Sequence, residues 1–329
     1  MAQRALLQQA KAIISPLLPE FHKGQAGRVG VLGGCREYTG APFYASMSSM
    51  RLGADMSFTI CAPEAAPALK TYSPDLIVQP LLDPNESPEN VRKSLRGMFE
   101  RLHSLVVGPG LGRDPKLQNL ARVAIEEARA AQLYLVVDAD GLWLVQNDPA
   151  TVQGYQRAVL TPNVVEFGRL CDAMVGSKLT QKISRDDPEK TAQLLSKALG
   201  GVTILEKGGV DRIATPNEVV VSEIQGGLKR CGGQGDLLSG MLGTFLAWAQ
   251  RYNERGLKDV AEERLPLVAA FGASCVTRTT SHLGFERLGR SMLTQDLLSD
   301  IGAAYNRYVS TIYRGFLSSR NEVDFRAAL

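Results

Sequence analysis

The chain has 329 residues, 44% hydrophobic and 22% charged, with 37 Lys and Arg against 34 Asp and Glu and a formal net charge of +3. This is the composition of an ordinary globular protein with ample material for a core. No block of like charge stands out, which argues against nucleic acid or an acidic membrane surface as a partner.

The first 19 residues carry Arg4 and Lys11 and no acid, a faint transit-peptide character without the Arg- and Ser-rich composition of one. "RVGVLGG" (28–34) reads as a strand running into a glycine turn, "APFYASMSSMRLGAD" as a helix and "SFTICA" (57–62) as the next strand. "LLDPNESPEN" (81–90) reads as an exposed loop. "SLVVGPG" (104–110) and "LYLVVDAD" (133–140) are apolar on both faces, with the helical spacing of "PKLQNLARVAIEEARAA" between them, and "AVLTPN" (158–163) and "VTILEKGG" (202–209) repeat the pattern of strand then loop. Buried strands alternating with helices predict a parallel sheet covered on both sides. "DRIATPNEVVVSE" (211–223) reads as an antiparallel hairpin at one sheet edge; from 235 to about 310 the chain reads mostly helical, and "SSRNEVDFRAAL" as a loosely held tail. One α/β domain over 1–329 is expected.

The longest apolar run of the C-terminal third, "LVAAFGASCV" (267–276), is too short to span a bilayer. Five cysteines, at 35, 61, 171, 231 and 275, form no CxxC pair, and the three histidines are scattered. A zinc site or disulfide framework is therefore not expected, and a reducing, cytoplasmic setting is.

The chemistry-bearing stretches follow the strands, where open α/β sheets bind ligands. "GPGLGRD" (108–114) has glycines at 108, 110 and 112, one residue short of the dinucleotide fingerprint, and suits either a tight turn or a backbone approach to an anion. In "DADG" (138–141), capping of the next helix competes with substrate or metal contact, and capping is favoured for at least one of the two carboxylates. "TPNVVEFGRL" (161–170) sets Asn163 and Glu166 three apart, which is a capping-box spacing and equally one that would let Glu166 hold magnesium, directly or through water. "EKGGVD" (206–211) offers Lys207 beside two glycines, either in a plain turn or against a nucleotide.

"RCGGQGDLLSGMLGTFLAW" (230–248) carries the strongest signal, with three glycines and Asp236 at the mouth of a helix with a wide apolar face. Such an N-terminus bears partial positive charge and free N–H donors, which suit a phosphate and would keep Asp236 ionised. A plain cap needs only the Asp. The glycines and the carboxylate together read as an anion hole and a base able to take a proton from an attacking hydroxyl.

Taken together, the Asn163-x-x-Glu166 pattern and the glycine loop ending in Asp236 resemble the ribokinase-like superfamily, and within it the ATP-dependent NAD(P)H-hydrate dehydratase family. Six motifs in order, "GRVGVLGGCREYTGAP", "VVGPGLGRD", "VVDADGLWL", "LTPNVVEFGRL", "ILEKGGVDRIA" and "GGLKRCGGQGDLLSGML", carry the resemblance from about residue 24 to about 300. It implies an α/β/α sandwich with a mainly parallel central sheet. It also implies a repair reaction: ATP and magnesium phosphorylate the hydroxyl of the S form of hydrated NADH or NADPH (NADHX, NADPHX), and loss of phosphate restores the reduced cofactor. By position Asp236 would be the catalytic base. Gly110, Asn163, Val164, Val165, Glu166, Phe167, Gly168 and Arg169, with Asp236, would contact the hydrated cofactor. Lys207, Gly208, Gly209, Val210 and Asp211, together with Gly226, Gly227, Leu228, Lys229, Arg230, Cys231, Gly232, Gly233, Gln234 and Gly235, would contact ATP.

Where bacterial relatives commonly read G-T-G-D and His-Pro-Gly-Glu, this chain has Gly233-Gln234-Gly235-Asp236 and Asn163-Val164-Val165-Glu166. The "CGGQGD" form is similar to the eukaryotic branch, which uses ATP rather than ADP. Only about 25 residues precede the first strand, too few for the epimerase domain that many bacterial members carry, so a NAD(P)HX epimerase on a separate chain is the expected functional partner, and a homo-oligomer is expected. Two other readings stand beside this one: a small-molecule alcohol kinase of the same superfamily, stopping at the phosphorylated product, and a nucleotide sensor without turnover.

Overall fold

The computed structural model describes residues 2–176 and 187–308. Its centre is a nine-stranded sheet in the order β3-β2-β1-β4-β5-β6-β7-β8-β9. The strands are β1 (Arg28–Leu32), β2 (Met56–Ile60), β3 (Ile77–Gln79), β4 (Ser104–Val107), β5 (Tyr134–Val137), β6 (Ala158–Leu160), β7 (Thr203–Glu206), β8 (Asp211–Ala214) and β9 (Val219–Ser222). β1 to β7 pair in parallel, whereas β7–β8 and β8–β9 are antiparallel.

The sequence dictates this directly. "SLVV" and "YLVV" are buried at every position, as strands covered on both faces must be. Side chains alternate between two cores: Val29, Val31, Val106 and Val136 face the helices Gly40–Leu52, Gln234–Glu254 and Leu265–Leu288, while Leu105, Val107, Leu135 and Val137 face Pro88–Phe99, Pro115–Ala130 and Val164–Met174. The hairpin around Pro216-Asn217 is β8–β9. The stretch 81–90 is a loop through Ser87, as its reading has it, and only its last three residues differ: Ser87 caps a helix that begins at Pro88, accepting from the Asn90 N–H at 3.2 Å. The tail "SSRNEVDFRAAL" lies outside the described residues, as does the helical reading beyond 308.

The chain builds β1 to β3 outward in one direction, then returns to place β4 on the other side of β1. That reversal is where open α/β sheets carry their ligand crevice. The loops after β1, β4, β5, β6 and β7 meet at this end: the Gly34 N–H donates to the Gly110 carbonyl at 3.1 Å and the Lys207 N–H to the Pro162 carbonyl at 2.8 Å. The helix Gln234–Glu254 points its N-terminus at the same end, buried from Leu237 to Ala249.

At the opposite end of β4, His103 is 4% exposed; its Nδ1 accepts from the Arg28 backbone N–H at 3.1 Å, and its Nε2 lies 3.2 Å from the Arg28 guanidinium. Burial, then the Arg28 charge, pushes its pKa down to about 4. The neutral ring therefore contributes stability that is present above the unfolded pKa near 6.5 and lost as pH falls toward 4. Urea unfolding is expected to show a loss of about 2 kcal/mol from this group between pH 7.5 and 5, and His103→Leu should flatten that dependence.

Candidate functional site

The helix Gln234–Glu254 begins at Gly233, whose φ of +96° is left-handed and whose added Cβ would meet Thr294 at 2.9 Å and Tyr44 at 3.0 Å. A glycine is required there by both conformation and space. Gly235 lets the turn approach Lys207, whose Nζ would lie 3.3 Å from an added Cβ. Asp236 is not a cap: the cap residue is Gly233, with no side-chain cap bond. No hydrogen bond to the Asp236 carboxylate is made among the described residues.

Lys207 reaches back to the end of β5, where its Nζ lies 2.8 Å from Asp138 Oδ1, the two side chains keeping 21% and 3% of their surface. Burial disfavours the ammonium, but Asp138, with Glu166 and Asp236 nearby, outweighs it and holds the Lys207 pKa above its ordinary value. Asp236 responds in the opposite sense. Burial, then repulsion from Asp138, outweighs the attraction of Lys207 and pushes its pKa up to about 7. This corrects the expectation that the helix field alone keeps Asp236 ionised; the carboxyl is poised near neutrality, as a general base should be.

The "DADG" carboxylates cap nothing. The cap of the helix Asp140–Asn147 is Ala139, which makes no side-chain bond. Asp138 takes Lys207, and Asp140 takes the Gly112 N–H at 2.9 Å and Arg113 at 3.5 Å. The glycine turn 108–112 thus spends an N–H on a carboxylate of the protein, and its geometry is that of a tight turn. Between the two acids Ala139 sits at φ +48° and ψ −119°, where a side chain is strained by about 1–3 kcal/mol. Ala139→Gly is expected to raise stability by about 1 kcal/mol once the entropy of the unfolded glycine is set against the relieved strain. Urea unfolding checks this, and a loss of stability would mean the turn is not strained.

The Asn163–Glu166 pair forms a capping box: Asn163 Oδ1 accepts from the Val165 and Glu166 N–H groups at 3.0 Å each, and Glu166 Oε2 accepts from the Asn163 N–H at 2.8 Å. Burial raises the Glu166 pKa, with the Asn163 hydrogen bond and Lys207 opposing. Val164 and Val165 are 62% and 61% exposed, whereas Phe167 is buried in the core and offers only backbone. Gly168 and the exposed Arg169 lie one turn on. Gly110 is buried against the Tyr38 backbone and is held at φ +61°.

The nucleotide-loop residues converge on a cavity of about 610 Å³ lined by Asn163, Lys207, Gly208, Gly209, Gly226, Arg230, Cys231, Gln234 and Gly235, among others. Val210 lies half-buried at the bend of the β7–β8 connection, and the Lys229 carbonyl accepts from the Gln234 amide at 3.2 Å. Leu228 is 75% exposed, Gly232 is open to solvent, and the Gly227 N–H is bonded to Ser281 at 3.3 Å. Asp211 is committed internally, accepting from the Gly208 N–H at 3.1 Å, Ser274 at 2.7 Å and Arg278 at 2.9 Å, so it shapes the loop 207–209. Arg278 also donates to the Gly209 carbonyl. Nothing in the sequence pattern marked Arg278 as the clamp of this loop. Asp138 and Asp140 were visible as possible caps or as contacts to substrate or metal, but not as the partners of Lys207 and of the Gly112 N–H.

Residues 29–302 match a family model described as NAD(P)H-hydrate dehydratase. The chain is 52% identical over 314 residues to an ATP-dependent (S)-NAD(P)H-hydrate dehydratase of Mycosarcoma maydis, covering 92% of this chain and 88% of that protein. It is 46% identical over 305 residues to the protein of that name in Homo sapiens, covering 93% and 85%. Among solved structures, an ADP/ATP-dependent NAD(P)H-hydrate dehydratase of Bacillus subtilis co-crystallised with ATP/Mg2+ superposes with a TM-score of 0.66 at 19% identity, covering 92% of this chain and 97% of that one. A hydroxyethylthiazole kinase of Pyrococcus horikoshii gives 0.56 at 14% identity, covering 97% and 99%. At such identities the structures speak for the ribokinase-like fold alone.

Proposed function

The chain belongs to the NAD(P)H-hydrate dehydratase family, and on that premise we propose how its own residues carry out ATP-dependent dehydration of the S forms of hydrated NADH and NADPH. ATP enters the cavity between the loops 207–209 and 226–235. The ring hydroxyl of the hydrated cofactor attacks the γ-phosphorus, the bond to ADP breaks, and Asp236 accepts the hydroxyl proton. Cleavage of the ring C–O bond then releases phosphate, and loss of a proton from the adjacent ring carbon restores the reduced nicotinamide. The observation that carries this assignment to residues is Asp236, an unpartnered carboxyl poised near pH 7 at the N-terminus of a buried helix.

Magnesium is part of the reading. Mg2+ takes most of its ligands from phosphates and water and one or two from carboxylates. Among the described residues no group of three or more His, Cys, Asp or Glu could hold a metal alone. Burial, however, raises the pKa of both Glu166 and Asp236 while the Lys207 ammonium opposes it in each, and desolvated carboxyls around that ammonium are a donor set that fits a nucleotide-borne ion. Glu166 would hold it, directly or through water. When bound, the ion would neutralise charge on the transferring phosphoryl group.

The reading also includes an epimerase on another chain that converts the R form to the S form. The test is recovery of near-ultraviolet absorbance from hydrated NADH with magnesium and ATP. One phosphate released per cofactor supports it, with the R form consumed only when epimerase is added. ADP formation without recovery of absorbance would instead mark an alcohol kinase.

A further inference from the structure

The turn 163–166 separates two openings at the strand ends. The larger, of about 610 Å³, lies on its β7 side and includes Lys207 and Gly235. The smaller, of about 110 Å³, lies on its β5 side and is lined by Arg113, Asp140, Trp143, Gln146, Glu166 and Arg169, with Ala139 and Leu142 behind them. The ion pair between Lys207 and Asp138, the neighbour of Ala139, joins the two walls at 2.8 Å. Transfer between two substrates needs the donor and the acceptor on opposite sides of the reacting centre. The glycine loops fit the larger opening to the donor nucleotide, which leaves the smaller one on the acceptor's side.

Its lining is specific in kind. The Arg113 guanidinium sits 5.8 Å from the Trp143 ring centroid and 3.5 Å from Asp140, which in turn holds the Gly112 N–H at 2.9 Å. Arg113, its side chain 58% exposed, thus stands at the rim between the Trp143 indole and the Asp140 carboxylate. Arg169 is exposed, with no carboxylate in ion-pairing distance among the described residues. A guanidinium beside an aromatic ring offers a stacking surface for a base, and a second free guanidinium offers a phosphate contact. A cleft this small does not enclose a dinucleotide, but it receives one end.

We propose that the Arg113–Trp143–Arg169 cleft binds the adenylate end of the hydrated dinucleotide, the purine on the Arg113–Trp143 surface and a phosphate at Arg169. The proposal rests on the dehydratase reading, and it makes the cleft the reason a dinucleotide is preferred to a mononucleotide.

The test compares KM for hydrated NADH with KM for hydrated nicotinamide mononucleotide. Wild type should prefer the dinucleotide about tenfold or more, the scale of one base–aromatic stacking contact. Trp143→Ala should erase most of that preference by raising the dinucleotide KM, leaving kcat and the KM for ATP within about twofold. Arg169→Gln, at an exposed position, should raise the dinucleotide KM by a smaller factor than Trp143→Ala and serves if that variant fails to fold. A preference unchanged in both variants, or equal losses on both substrates, would overturn the cleft assignment and leave the dehydratase reading standing. Turnover of neither substrate by wild type would sink that reading, and the cleft assignment with it.

Discussion

Asp236→Asn is expected to lower turnover of hydrated NADH by about 10³-fold while ATP affinity, measured by titration calorimetry, changes by less than about threefold. The asparagine keeps the shape and the helix start, since the start depends on Gly233 and on no side-chain bond from Asp236. It removes only the ability to take a proton. The pH profile of the wild type carries the same information. With Asp236 pushed up to about 7 by burial and then Asp138, kcat/KM should rise as pH increases through about 7 and level off above it. The linkage runs the other way. A folded pKa above the unfolded value near 3.8 means the protonated form is favoured by folding, and that contribution is lost as pH rises through about 7. The inactive Asn variant should therefore unfold at higher temperature than wild type at pH 8, with the gap narrowing toward pH 5 and closing only below the unfolded pKa near 3.8. A variant that keeps a near-normal rate would show that Asp236 is not the base.

The parallel strands were legible because burial on both faces leaves continuous apolar runs such as "LYLVV", and the hairpin because Pro216-Asn217 interrupts one. β3 escaped because three residues, Ile77–Gln79, are too few to show a period. The glycine loop and Asp236 were legible because they stand together in the chain. The charges that set the pKa of Asp236 were not: Lys207 and Asp138 lie 69 positions apart, and each has a commoner local use, as a solvated turn lysine and a helix cap. Arg278 is harder still. It sits on the long helix Leu265–Leu288, just past the stretch 265–276 that is buried throughout, and the sequence does not reveal which turn will meet the loop 207–209. Local pattern thus located the reacting group, and the tertiary fold supplied the electrostatics around it.

Gly108→Ala should destabilise the protein by at least about 4 kcal/mol and abolish activity in whatever fraction folds. Gly108 has φ +122°, and a Cβ there would lie 1.8 Å from the Asp138 carbonyl oxygen and 2.5 Å from the Gly141 nitrogen, both backbone atoms. Neither can yield alone. The Asp138 carbonyl accepts the Gly141 N–H at 2.9 Å, the Asp138 N–H donates to Val107 at 3.0 Å, and the Gly108 N–H donates to Leu32 at 2.9 Å. Making room means parting the ends of β4 and β5, which moves Asp138, and with it the ammonium of Lys207, away from Asp236. Gly97 provides the control. It lies in the helix Pro88–Phe99 with nothing within 4 Å of an added Cβ, so Gly97→Ala should stabilise by about 0.5–1 kcal/mol with no change in rate. If urea unfolding placed the two variants together, the interlocked backbone at the ends of β4 and β5 would not be what holds Asp138 and Lys207 in place.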